Sequence, residues 1–203
     1  MTETIKKHAV LICIAISVIL ILIAVSLYPG GSLADENSQG FEWSKNFISN
    51  LFKARAINGS ENPSRIWAIF GMAFHAVGYG LFFINMSKKM PVKHAVNLLK
   101  FIGIAGILAD LLIATPLHDL AIPVSSGLFL MGLFYITIFI LKSKLHVLKI
   151  CCIACLLLFY YTLFLYGTGN WTLLAIMQKV ALISSVLLVL ALTYFTKLED
   201  FTR

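Results

Sequence analysis

The chain has 203 residues, 60% of them hydrophobic, with a mean hydropathy of +0.91 and a formal net charge of +7. That much apolar surface exceeds what a soluble domain of this length buries, which excludes an ordinary globular enzyme or binding module. The basic residues sit beside apolar segments, where they meet anionic lipid headgroups, so the charge is read as orientation in a membrane and not as affinity for nucleic acid.

Six apolar stretches run at roughly 9–28, 66–86, 96–115, 121–141, 148–167 and 172–195, each near the roughly 20 residues that cross a bilayer core of about 30 Å. Short connections leave no room for a second globular domain. The expectation is a single all-α, polytopic six-helix membrane domain over 1–203. The first stretch follows Lys6 and Lys7 and ends near Ala24-Val25-Ser26, which looks like a signal-peptide cleavage site. Its apolar run of about 19 residues is longer than the usual 7–15 of a signal segment, so a retained helix is expected. Tyr28-Pro29-Gly30-Gly31-Ser32 ends it, because proline and paired glycines cannot continue a helix.

The 29–65 segment is the one long loop. Within it Phe47, Ile48, Leu51 and Phe52 recur at helical spacing, while Lys45, Ser49 and Lys53 fall elsewhere. That pattern predicts a short amphipathic helix lying in the outer interface or capping the bundle. Asn58-Gly59-Ser60 is a turn and formally a glycosylation sequon. Ser64 is the expected N-cap of the second helix. Thr115-Pro116-Leu117-His118-Asp119 reads as helix end, turn and helix start, with Asp119 placed to cap the fourth helix and Pro123 in its first turn.

The basic residues cluster at Lys6, Lys7 and His8; at Lys88, Lys89, Lys93, His94 and Lys100; at Lys142, Lys144, His146 and Lys149; and at Lys197 and Arg203. The other three loops have mixed charge (29–65), only His118 and Asp119 (116–120), or none (168–171). The positive-inside rule then predicts a multi-pass protein of the cell membrane with both termini cytoplasmic. Trp67, Tyr166 and Trp171 on the outer side and Tyr135 and Tyr194 on the inner side fit interfacial aromatic belts. Glycines within the stretches, Gly71, Gly78, Gly80, Gly103, Gly106, Gly127 and Gly132, would let helices approach closely.

Ionisable groups inside a bilayer are costly, and each needs an explanation. Asp110 lies in the third stretch, about 7–8 Å below its outer end at about 1.5 Å per residue, and Lys179 in the sixth, about 12 Å deep. Gln178 precedes Lys179, and His75 falls near the middle of the second stretch. His118 and Asp119 close the same side. Together these residues suggest an outward-facing polar pocket in which Asp110 and Lys179 pair or hold a ligand between them. In that reading Lys179 neutralises a phosphate or carboxylate headgroup, with Gln178 beside it, while Asp110 with His75 or His118 positions or deprotonates a hydroxyl. Asn46 and Asn50, at four-residue spacing with Glu42, would line the mouth. The structural alternatives are a buried ion pair that sets helix register, a lysine that snorkels along its own stem, and a solvated loop face.

Other chemistries are set aside. There is no dense metal-ligand cluster, no phosphate-binding glycine loop and no facing pair of deep histidines for haem, so no metal or cofactor is expected. Cys152-Ile153-Ala154-Cys155 has redox spacing, but it lies near the inner face without partner cysteines in outer loops, and small buried cysteines are expected instead. Val124-Ser125-Ser126-Gly127 is similar to part of an intramembrane serine-protease motif, yet its first glycine is absent and the sixth helix holds no histidine base. Ser125 and Ser126 are therefore read as packing residues.

The six-helix pattern, the run Asn46-Phe47-Ile48-Ser49-Asn50-Leu51, the Asn62-Pro63-Ser64-Arg65 entry to the second helix and the Thr115–Asp119 turn resemble the bacterial domain-of-unknown-function family 998. That family is similar to the wider Frag/DRAM group of six-helix membrane proteins. The resemblance covers nearly the whole chain, mainly through topology, and it implies the fold class. A eukaryotic relative in the wider group takes part in remodelling the lipid of glycosylphosphatidylinositol anchors, so the resemblance also implies lipid handling. The leading expectation is binding or processing of a lipid or amphiphile. The alternatives are a non-enzymatic assembly factor or accessory subunit, with a membrane-protein partner or a second copy of the chain, and then a small oligomeric transporter. The last is disfavoured because no inverted repeat or discontinuous helix pair is visible.

Overall fold

The computed structural model describes residues 3–202. Six α-helices account for most of it: α1 (Glu3–Ser26), α2 (Ser64–Ser87), α3 (Lys93–Leu112), α4 (His118–Lys142), α5 (His146–Thr168) and α6 (Trp171–Phe195). All six carry segments long and apolar enough to cross a membrane. No strand occurs among the described residues, only the isolated bridges Gly30–Gln39 and Arg55–Glu61. The helices pack in chain order, each on the next, and α6 returns to both α1 and α2. Both chain ends therefore lie at one end of the bundle, where His8 Nδ1 and the Tyr194 hydroxyl are 2.8 Å apart.

The core at the heart of the bundle is built around Phe82, Met86, Leu99, Ile102, Leu133, Ile136 and Leu192. Its tightest seam joins α2 to α3. A Cβ on Gly103 would stand 2.8 Å from the Gly80 carbonyl oxygen, and a Cβ on Gly80 would stand 2.8 Å from that of Gly103. Each glycine leaves the room that the other's backbone occupies, the close approach that small residues permit. Outward, α3 exposes Phe101, Ile104 and Leu108, and α5 exposes Ile150, Leu157 and Phe164. Such flanks are what helices facing hydrocarbon require.

The connections have local causes. Gly169 ends α5 with φ +70°, and the Asn170 side chain then accepts from Leu173 N–H to cap α6. At the start of α2 the cap position shifts by one residue from the expected Ser64, and the accepting side chain by two. Pro63 occupies the cap position, Ser64 is the first helical residue, and Asn62 Oδ1 accepts from both Ser64 N–H and its hydroxyl. Asn62 also donates to the Leu51 and Lys53 carbonyls, at 3.2 and 2.8 Å, so one side chain ties the loop to the helix start. Asp119 is likewise not a cap. Helix α4 begins at His118 behind Leu117, with Asp119 exposed in its first turn, where a carboxylate still favours the helix dipole. Pro123 then lies beyond the first turn and lacks the N–H that would reach the Asp119 carbonyl.

The long loop forms a cap with its own small core. In place of a regular amphipathic helix over 41–52 there is a 3-10 helix, Ile48–Phe52, preceded by turns. Ile48, Leu51 and Phe52 pack with Ala24, Tyr28, Ala56 and Ala68. Leu51 is fully buried, which places this segment against the bundle.

Candidate functional site

The polar residues expected to converge at the loop end of the bundle divide into two groups. The first group holds the loop in place. Asn46 is fully buried; its Nδ2 donates to the Gly31 carbonyl at 2.7 Å, and its Oδ1 accepts from Glu42 N–H at 2.8 Å. Asn50 Oδ1 accepts from Phe47 N–H at 2.7 Å. Gln178 Oε1 accepts from Ile48 N–H at 3.0 Å. Lys179 is buried, and its Nζ donates to the Asn46 carbonyl at 2.5 Å and to the Ala175 carbonyl one turn back. Its ammonium also lies 5.8 Å from the centroid of the Phe41 ring. A lysine has three donors, and these carbonyls take two of them.

These partners correct four expectations. Asn46 and Asn50 do not line a pocket mouth; they replace backbone hydrogen bonds that the loop lacks. Gln178 and Lys179 face the loop backbone. Asp110 and Lys179 do not pair: the ion pair found among the described residues is Lys45–Glu42, at 2.9 Å on the loop surface. There the lysine holds the Glu42 carboxyl below the ordinary range, and the carboxylate raises Lys45. His118 also has a structural partner. Its Nδ1 lies 2.8 Å from the Ile113 carbonyl, and because a carbonyl only accepts, this nitrogen carries the proton.

The second group sits on α2, α3, α4 and α6. Asp110 is buried near the end of α3, and its Oδ1 accepts from the Ser125 hydroxyl of α4. His75 lies within electrostatic range of Asp110, with no hydrogen bond between them among the described residues. The His75 ring stacks on Tyr79 with centroids 4.1 Å apart. The Tyr79 hydroxyl meets Ser185 Oγ at 2.7 Å. Ser185 donates its own proton to the Leu182 carbonyl at 2.8 Å, so the phenol donates to the serine.

Beside Asp110 and Ser125 is a small crevice lined by Tyr79, Gly80, Phe83, Ile102, Gly106 and Phe129 among others. Its free volume is about 20 Å³. One water needs about 10–15 Å³ by this measure, so a water-sized group fits and a phosphate does not. A Cβ built on Gly106 or Gly127 would meet no atom within 4 Å, so the helix faces near the crevice are open at these positions.

Ser125 is the residue that sequence reasoning set aside. The signal that could have found it is the symmetry of the α3–α4 hairpin. Residues 110 and 125 lie seven and eight residues from Leu117 at the centre of the Thr115–Asp119 turn, and antiparallel neighbours so placed lie at nearly equal depth. Comparison of the chain with models of known families, with curated proteins and with solved structures finds no match.

Proposed function

We propose that this is a multi-pass protein of the cell membrane, with both termini cytoplasmic, that binds an amphiphile through a small hydrogen-bond-donating headgroup, a hydroxyl or a primary ammonium. The observation that carries this reading is the Asp110–Ser125 pair beside a water-sized crevice whose other walls are apolar or aromatic. A carboxylate offers several acceptor sites, and Ser125 uses one. The cation that could have favoured a phosphate, Lys179, is bound to the loop instead. The crevice has room for the headgroup alone, so the alkyl chain lies outside it along the exposed apolar flank of α3, and the resemblance to family 998 and the lipid-handling relative in its wider group points the same way. His75 stacks on Tyr79, which lines the same crevice, and so brings a group able to take up a proton to the wall of the site.

The test uses three probes of one chain length: a long-chain amine, a long-chain alcohol and a long-chain phosphate monoester. Native mass spectrometry of the purified protein should show retention of the amine and alcohol over the phosphate. Asp110→Asn should remove the preference for the amine. Equal or better retention of the phosphate ester, or an Asp110→Asn protein that keeps the preference for the amine, would refute the site.

A second reading has its own observation. Lys179, Gln178, Asn46, Asn50 and His118 are all engaged by internal partners, so Asp110 and Ser125 can be a clasp of the same kind in an assembly factor or accessory subunit. In that case Asp110→Asn lowers folded yield and leaves retention per folded molecule unchanged.

A further inference from the structure

The larger cavity lies at the opposite end of the bundle, where the two termini meet. It has a volume of about 220 Å³ and is lined by Lys7 of α1, by Phe82, Asn85 and Met86 of α2, by Lys89 just beyond α2, and by Thr193 of α6. By the measure in which one water needs about 10–15 Å³, this is an order of magnitude more room than a solvent molecule requires.

The charge on its wall is fixed in place. Lys89 Nζ meets four oxygens at the end of α6: the carbonyls of Leu192, Thr193 and Thr196 at 3.4, 3.0 and 2.9 Å, and Thr196 Oγ1 at 3.1 Å. Those contacts use its donors and hold its positive charge against the cavity. Lys7 is exposed and stands beside His8, which stacks on Tyr194 of α6 and so closes α1 onto α6. Asn85 accepts from Lys88 Nζ at 3.4 Å through its oxygen. Its amide nitrogen makes no hydrogen bond among the described residues. The apolar side of the cavity is Phe82 and Met86, each almost fully buried. Asp200, near Lys89, offsets part of the charge, but its Oδ2 already accepts from Lys197 N–H at 2.8 Å.

We propose that this cavity is a phosphate site: Lys7 and the Asn85 amide donate to the phosphate oxygens, Lys89 supplies a fixed positive field, and Phe82 and Met86 meet the carbon skeleton attached to the phosphate. A phosphate presents several acceptor oxygens to convergent donors, and basic pockets between helix ends are where lipid phosphates are held. The phosphate is carried by an anionic lipid or is free. The site is separate from the Asp110 crevice and does not depend on it.

The experiment is native mass spectrometry of the full chain in neutral detergent, titrated with phosphatidic acid and with diacylglycerol of the same acyl chains, which differ in the phosphate. Wild type should bind phosphatidic acid roughly tenfold more tightly, a difference of about 1.4 kcal/mol. Lys7→Gln and Asn85→Leu should each lose most of that preference. Lys142→Gln combined with Lys144→Gln removes two exposed charges at the same end but outside the cavity, and should keep it. Displacement of phosphatidic acid by millimolar inorganic phosphate would support the site with free phosphate as its ligand; resistance to it would support the lipid. No preference over diacylglycerol, or an equal loss in the Lys142/Lys144 variant, would overturn the proposal.

Discussion

Two glycines three residues apart on α3 should respond oppositely to the same substitution. Gly103→Ala places a methyl group 2.8 Å from the Gly80 carbonyl oxygen and 2.9 Å from Ile84 Cγ1. The first of these is backbone and cannot rotate away, so α2 and α3 must separate. Gly106→Ala places its methyl group where no atom lies within 4 Å. Both changes gain the same helix preference, about 0.5–1 kcal/mol for alanine over glycine. That gain cancels in the comparison and leaves the overpacking cost of Gly103→Ala, about 1–3 kcal/mol. A chain of this size moves roughly 2–4 °C in Tm per kcal/mol, so the two variants should differ by roughly 2–12 °C, Gly106→Ala being the more stable. Thermal unfolding in one detergent, followed by near-ultraviolet circular dichroism, measures this directly. A Gly103→Ala protein as stable as Gly106→Ala would show that α2 and α3 are not in contact at Gly80, and the helix arrangement derived from that seam would be wrong.

Lys179→Met should free the loop from α6, leave the Asn46 carbonyl without its lysine partner and destabilise the protein by about 1–3 kcal/mol. Limited proteolysis within 29–65 should accelerate in this variant and not in Asp110→Asn; equal rates in the two would remove the distinction between loop tether and crevice. Burial lowers Lys89 below its ordinary value of 10.5, with Asp200 opposing. Between the lowered value and 10.5 the unfolded chain binds more protons than the folded one, so the Lys89 contribution to stability rises with pH across that window. Lys89→Met should flatten that part of the stability profile, and parallel profiles for the two proteins would refute the assignment.

The six spans were legible because composition alone identifies segments that can cross a bilayer, and their observed bounds depart from expectation mainly at the ends. The loop was less legible for an identifiable reason. Ile48, Leu51 and Phe52 do share a buried face, as their spacing indicated, while Phe47 is half-buried and stands outside that core. Yet Asn46 and Asn50 accept from the backbone N–H groups of Glu42 and Phe47, four and three residues earlier. Side chains of this type compete with the helical ladder for backbone groups, and here they give turns and a 3-10 segment instead. The partners of Lys179 and Gln178 were beyond reach for another reason. They join α6 to residues 133 and 130 positions away, and no local pattern reports such contacts. Asp110–Ser125 was accessible in principle, because a short turn sets the register of the two helices it connects. Ser125 was instead weighed against a protease motif and dismissed with it.

The residual hydrogen-bonding capacity of each group decides which of these residues can act on a ligand. Lys179 is buried, gives two donors to loop and helix carbonyls and lies near the Phe41 ring, so its charge is held against the loop. Asn46 is committed in the same way, and His118, its Nδ1 held by the Ile113 carbonyl, keeps only an acceptor at Nε2. Asp110 differs. Ser125 donates to one oxygen, and the carboxyl lines a crevice that leaves room for one more small group. An incoming donor there completes a site and displaces no protein partner, whereas a phosphate would bring its charge toward a carboxyl. The same reasoning separates the two ends of the bundle. At the loop end the buried lysine is consumed internally and an acidic group lines the crevice. At the terminal end Lys7 remains exposed and Lys89 is held as a fixed charge beside a larger cavity. The proposed donor headgroup at one end and the proposed phosphate at the other both rest on which charges the fold has already neutralised.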